Sequence, residues 1–240
     1  MKETLIPAKK ALHTYADPAR AIHLQRFFKT GKGEYAEGDQ FIGVTVPAIR
    51  KVVRQFRDLP LSEAKKLLKS SIHEERLLAL LILVHQYKNT DESFRKRIFN
   101  FYLSHLSYVN NWDLVDVSCR DIIGGYLENK NRKLLYQLAK SKRLWDRRVA
   151  IISTYFFIRK GDSEDTLKIA SLLLKDKEDL IHKAVGWMLR EVGKQNERIL
   201  EDFLNEHSNV MPRTMLRYAI ERLSEKKRQQ FRSVGSTHHC

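Results

Sequence analysis

The run Asn110-Asn111-Trp112-Asp113-Leu114-Val115-Asp116-Val117-Ser118-Cys119-Arg120-Asp121-Ile122-Ile123-Gly124-Gly125 reads as a helix with its own start signal. Asn110 or Asn111 offers a short side-chain oxygen to the N–H groups left free in a first helical turn. Trp112 falls at the helix entrance, Asp116 lies four residues on along the same face, and Arg120 one turn further. An indole above a carboxylate suits a site for something cationic, the carboxylate giving charge and the ring a quadrupole. The plainer alternative has Trp112 in the core, Asp113 complementing the helix dipole and Asp116 solvated. Outward from this run the same helical period covers nearly everything after residue 8, and no convincing alternating strand interrupts it. The chain is predicted to be all-α.

Upstream, a first helix is predicted from about Lys9 to Lys29, broken near Asp17-Pro18 because a proline disfavours helical geometry in the residue before it. The glycine-rich stretch from Thr30 to Asp39 is a surface loop. Ala36 stands where a dinucleotide fingerprint needs its third glycine and no strand precedes it, although Lys32 and Tyr35 suit a sugar-phosphate backbone. A helix starts at Thr45-Val46-Pro47, with proline harmless in the first turn. It carries Arg50, Lys51, Arg54 and Arg57 and ends at Leu59-Pro60. Downstream, segments 61–70, 74–88, 92–106, 112–127, 131–141, 144–160, 163–175, 178–194, 197–207 and 212–224 read as helices with short polar joints. Such antiparallel pairs stack into a curved, right-handed type of solenoid, here with a period of about 35–40 residues, as in HEAT-like repeats. No linker divides the chain, so residues 1–231 are expected to form a single domain. Residues 232–240 lose the period and are expected to be disordered; the terminal His238-His239-Cys240 is only a weak metal signal.

Composition bounds the partners. There are 44 Lys plus Arg against 29 Asp plus Glu, a net charge of +15, which favours a polyanion such as nucleic acid or an acidic membrane. No apolar run approaches the roughly 18–20 residues needed to cross a bilayer, and the N-terminus lacks the apolar stretch of a signal peptide. Cys119 and Cys240 make no disulfide framework. The expectation is a soluble, cytoplasmic chain.

Three helices carry mixed stripes on one face: Trp112, Asp116 and Arg120; Arg148, Ile152, Tyr155 and Arg159; Lys183, Trp187, Arg190 and Lys194. Unpaired charges are costly in a core, whereas guanidinium groups among aromatics suit a wall that meets phosphates and sugars. Each stripe alone also fits an ordinary solvated face with one tryptophan tucked against a neighbour.

The runs Asn111-Trp112-Asp113-Leu114-Val115-Asp116, Trp145-Asp146-Arg147-Arg148-Val149-Ala150, Lys183-Ala184-Val185-Gly186-Trp187-Met188-Leu189-Arg190-Glu191 and Met211-Pro212-Arg213-Thr214-Met215-Leu216-Arg217-Tyr218-Ala219 resemble, in order, the signature blocks of the AlkD family of DNA alkylation repair glycosylases. The resemblance spans about residues 8 to 224. It implies a solenoid whose basic concave face holds duplex DNA, and hydrolysis of the N-glycosidic bond of cationic N3- and N7-alkylated purines, without cofactor or metal, by a monomer. Residue by residue, it implies Asp116 as the catalytic carboxylate, Trp112 and Trp187 as the active-site tryptophans, and Arg148 as a DNA contact. Arg190, Tyr155, Arg159, Lys183, Lys194, Arg213, Arg217 and Phe27 join Arg148 as the expected DNA-binding set. A tyrosine of the founding member corresponds to Phe27 here, without its hydroxyl, and the loop 31–39 resembles another branch; both bear on substrate range. The family also implies action from the backbone side, without a pocket for an extruded base. Competing readings are a non-catalytic binder of damaged or branched DNA, a protein-interaction scaffold, and a lyase using the Lys183 amine.

Overall fold

The computed structural model describes residues 4–234, and among them it is helical apart from loops and one isolated parallel bridge between Gln40 and Ile72. The chain forms two compact units that meet in sequence between Ile122 and Ile123. The first contains α1 (Leu5–His13), α2 (Pro18–Phe27), α3 (Val46–Gln55), α4 (Leu61–Leu68), α5 (His73–Lys88), α6 (Glu92–Ser104), a 3-10 turn at Leu106–Tyr108, and α7 (Trp112–Cys119). The second contains α8 (Lys133–Ala139), α9 (Leu144–Ser153), α10 (Tyr155–Ile158), α11 (Glu164–Leu172), α12 (Asp179–Gln195), α13 (Glu197–His207), α14 (Arg213–Ala219) and α15 (Glu225–Val234). Neighbouring helices pack as hairpins, α4 on α5, α8 on α9 and α12 on α13.

Local chemistry sets the boundaries. Asp17 caps α2, its Oδ1 accepting from the Arg20 N–H at 3.1 Å with Pro18 in the first position, which is the expected break in the first helix. Thr45 caps α3 through its Oγ1, which accepts from the Ala48 N–H at 3.3 Å. In the first unit α5 is central. Its run Leu77-Leu78-Ala79-Leu80-Leu81-Ile82-Leu83-Val84 is buried on every side, against α3, α4, α6 and α7; a helix apolar all round has no solvent face. In the second unit α12 has that place, packed by α9, α10, α11, α13 and α14. A Cβ on Gly186 would stand 2.4 Å from the Met215 carbonyl oxygen, so only glycine lets α12 and α14 approach so closely.

Three expectations differ from what is observed. The helix expected over 112–127 is α-helical only to Cys119 and continues as a π turn at Arg120–Gly124. The helix expected over 144–160 breaks at Thr154, whose buried hydroxyl donates to the Ile151 carbonyl at 2.7 Å and so competes with the backbone ladder. At the C-terminus, Arg232, Ser233 and Val234 continue α15; the rest of the predicted tail, with its His-His-Cys end, lies outside the described residues.

Candidate active site

The first turn of α5, His73-Glu74-Glu75-Arg76, is four consecutive ionisable residues, all buried. Each is matched by a partner far away in sequence, as buried charge requires. Glu75 holds Lys9 Nζ at 2.7 Å and His13 Nε2 at 2.9 Å from α1. Glu74 accepts from three successive backbone N–H groups, those of Ile42, Gly43 and Val44, at 2.8–3.2 Å. Gly43 turns there with φ +82, and a Cβ would meet the Asp17 carbonyl oxygen at 2.0 Å. Arg76 Nη2 lies 2.6 Å from Asp39 Oδ1, while its Nη1 donates to the Ser70 carbonyl.

His73 sits between two carboxylates, Nδ1 3.2 Å from Asp39 Oδ2 and Nε2 2.7 Å from Asp113 Oδ2. Burial would lower its pKa. The charge and hydrogen bond of Asp113, with the Asp39 hydrogen bond, outweigh burial and the opposing Arg76 and hold it above the ordinary 6.5. Burial would likewise raise Asp39. Its hydrogen bond from His73, with Arg76, the His73 charge and Asn111, keeps it below 3.8. Asn111 is the cap of α7, its Oδ1 accepting from the Trp112 N–H at 2.8 Å while its Nδ2 lies 3.3 Å from Asp39 Oδ2.

On this base stands a stack of rings. His73 lies 4.5 Å from Phe41 with planes 22° apart, Phe41 stacks on Phe28 at 4.9 Å, and Phe28 on Trp112 at 5.2 Å and 10°. Phe27, 57% exposed, meets Trp112 edge-on at 6.1 Å. These rings wall a cavity of about 450 Å³ whose lining also includes Asp113, Asp116, Arg20 and Glu74, within the size range of ligand sites. Trp112, Asp116 and Phe27, separated in sequence, therefore meet at one cavity. Trp112 serves both readings, with Phe28 against one indole face and the cavity beside it. The plainer alternative gave Asp113 only a helix-dipole role. Instead it lines the cavity and holds His73 because its position in the first turn of α7 reaches the start of α5.

The second unit departs further from expectation. Arg148 is 5% exposed and its Nη1 donates to the Leu180 carbonyl at 2.5 Å, tying α9 to α12; Ile152 beside it is fully buried. With the break at Thr154, the predicted stripe from Arg148 through Tyr155 to Arg159 is not one continuous solvent face, and only Arg159 is exposed. On α12 the charges are paired. Lys183 binds Asp179 at 2.7 Å, and Lys194 binds Glu191 at 2.7 Å. Arg190 contacts Glu221, and Glu191 also accepts from the Trp187 indole N–H at 3.1 Å. Tyr155 lies 6.2 Å from Trp187. An ion-paired Lys183 is not the desolvated amine a lyase needs. Arg213 and Arg217 are exposed and line, with Arg232 and Gln229, a cleft of about 500 Å³.

A family model described as DNA alkylation repair enzyme matches residues 8–223. The chain belongs to the DNA alkylation repair enzyme family. This membership gives the protein a role in DNA alkylation repair. A solved structure titled as a predicted DNA alkylation repair enzyme from Enterococcus faecalis shares the fold at TM-score 0.67 and 17% identity, over 88% of this chain and 97% of that one. AlkD2 from Streptococcus mutans aligns at TM-score 0.49 and 16% identity, over 91% and 96%. Among curated proteins none matches. No described helix of this family member is long and apolar enough to cross a membrane.

Proposed function

We propose that the protein is a monomeric, cytoplasmic DNA glycosylase that hydrolyses the N-glycosidic bond of cationic N3- or N7-alkylated purines in duplex DNA. The observation that carries this reading is the meeting of Trp112, Asp116 and Phe27 at one aromatic-walled cavity. An alkylated purine is positively charged and leaves as a neutral base, so no acid need protonate it. Water oxygen bonds to the anomeric carbon as the bond to nitrogen breaks, and the electron pair stays with the base. Asp116 stabilises the oxocarbenium-like sugar and takes or orients the proton of the water. The indole of Trp112 adds cation–π attraction, about 0.5–2 kcal/mol. Trp187 is assigned to the substrate as the family resemblance implies, and Arg148 to the packing of α9 on α12. Release of free base from methylated duplex, followed by chromatography, tests the reaction; a protein that binds such duplex yet releases none would be the non-catalytic binder.

Phosphate contacts fall to the exposed cations Arg159, Lys194, Arg213 and Arg217. Each neutralised phosphate contributes a slope of about −0.9 to log K against log salt, so these four give roughly −3.6. Removing Arg217 as alanine should reduce the slope by about one. A flat salt dependence in a duplex-binding titration would favour the protein-interaction scaffold.

A further inference from the structure

We propose that His73 is a positioning residue for Trp112 and Asp116, held as an imidazolium between Asp39 and Asp113 so that the first turn of α7 has one orientation. This rests on the glycosylase reading of the cavity. With both carboxylates ionised the geometry calls for the charge: a neutral imidazole carries one N–H, whereas both ring nitrogens of His73 face carboxylate oxygens, at 3.2 and 2.7 Å. The charged groups acting on it are Asp39 from the loop before α3, Arg76 from its own helix and Asp113 from α7, while Glu74 is turned to the amides of residues 42–44.

The tether acts on both sides of Trp112. Asn111 is bound to Asp39 and Asp113 to His73, so the residues before and after the tryptophan are fixed to one charged cluster. The indole is then set against Phe28, whose ring is also 5.1 Å from His73. Asp116 lies one turn beyond Asp113 on the same helix and lines the same cavity. Loss of the proton leaves one carboxylate facing a lone pair, and the turn loses a fixing contact. The raised pKa of His73 means this stabilisation is complete below about 6.5 and is lost as pH rises through the higher folded value.

The test uses the full chain with 15N-labelled histidine, His73→Phe serving to assign the resonance. At neutral pH His73 should carry protons on both ring nitrogens and titrate above the ordinary histidine range; a neutral tautomer there overturns the proposal. Single-turnover base release from methylated duplex should fall about tenfold or more as pH rises through the same midpoint, the scale expected when a reacting group is misplaced, while duplex affinity changes little. Asp113→Asn keeps an acceptor but removes the charge. It should move the His73 midpoint and the alkaline limb of the rate together towards lower pH. A limb that stays in place while the midpoint moves overturns the positioning role. Should the wild type release no base, the glycosylase reading fails separately. The indole N–H resonance of Trp112 then decides, supporting the proposal if it shifts with the His73 midpoint and refuting it if it does not.

Discussion

Replacing Asp116 by asparagine is expected to lower release of N7-methylguanine from duplex DNA by about 10²-fold or more, the scale of losing one electrostatic group at a developing charge. The side chain is half-exposed and lines the cavity beside Trp112, so the neutral isostere should leave the fold intact. Duplex affinity should stay level or rise slightly, because on the proposed reading a negative charge facing the DNA is gone. Some activity should persist, since a cationic purine is already a good leaving group. The control is Asp121→Asn: Asp121 follows α7 and pairs with Lys88 at 3.0 Å, outside the cavity lining. Equal losses in the two variants, read by single-turnover kinetics, would remove Asp116 from the chemistry. Asp113→Asn cannot serve as that control, because its carboxylate is the partner of His73.

Arg76→Leu should strongly destabilise the first unit. The guanidinium and the Asp39 carboxylate are each 5% exposed, and losing the guanidinium leaves the buried carboxylate to His73 and Asn111 alone. Such losses cost about 3–5 kcal/mol, read as a fall in urea midpoint with the slope unchanged. A loss below about 1 kcal/mol would mean that water already reaches the pair. The depressed pKa of Asp39 fixes the sign of the pH dependence. Its stabilisation is present above 3.8 and lost as pH falls through the lower folded value. Arg76→Leu should therefore flatten the acid limb of stability as well as lower its plateau.

The helical architecture was legible because apolar period and caps are local: Asp17-Pro18, Thr45 and Asn111 each act within a few residues. The pairing of Trp112 with Asp116 was legible for the same reason, one helical turn separating them. The cluster at His73-Glu74-Glu75-Arg76 was not. Four charged residues opening a helix read as a solvated first turn, and their partners Lys9, Asp39 and Asp113 stand 34 to 66 positions away. The only clue was the unbroken apolar run that follows, which leaves α5 no outward face. The stripe through Arg148 failed for a related reason. Spacing gives a face but not its surroundings, and the face of α9 bearing Arg148 and Ile152 is covered within the second unit.

Glu74 has one more effect. The stretch 41–45 has no helix or strand of its own, yet three of its amides end on a carboxylate fixed to the most deeply buried helix of the first unit. In hydrogen-exchange terms those amides belong to the slow core rather than to the fast surface, opening only when the start of α5 opens. Phe41 and Val44, which wall the cavity, share that fate. This side of the site is then a permanent wall rather than a flap.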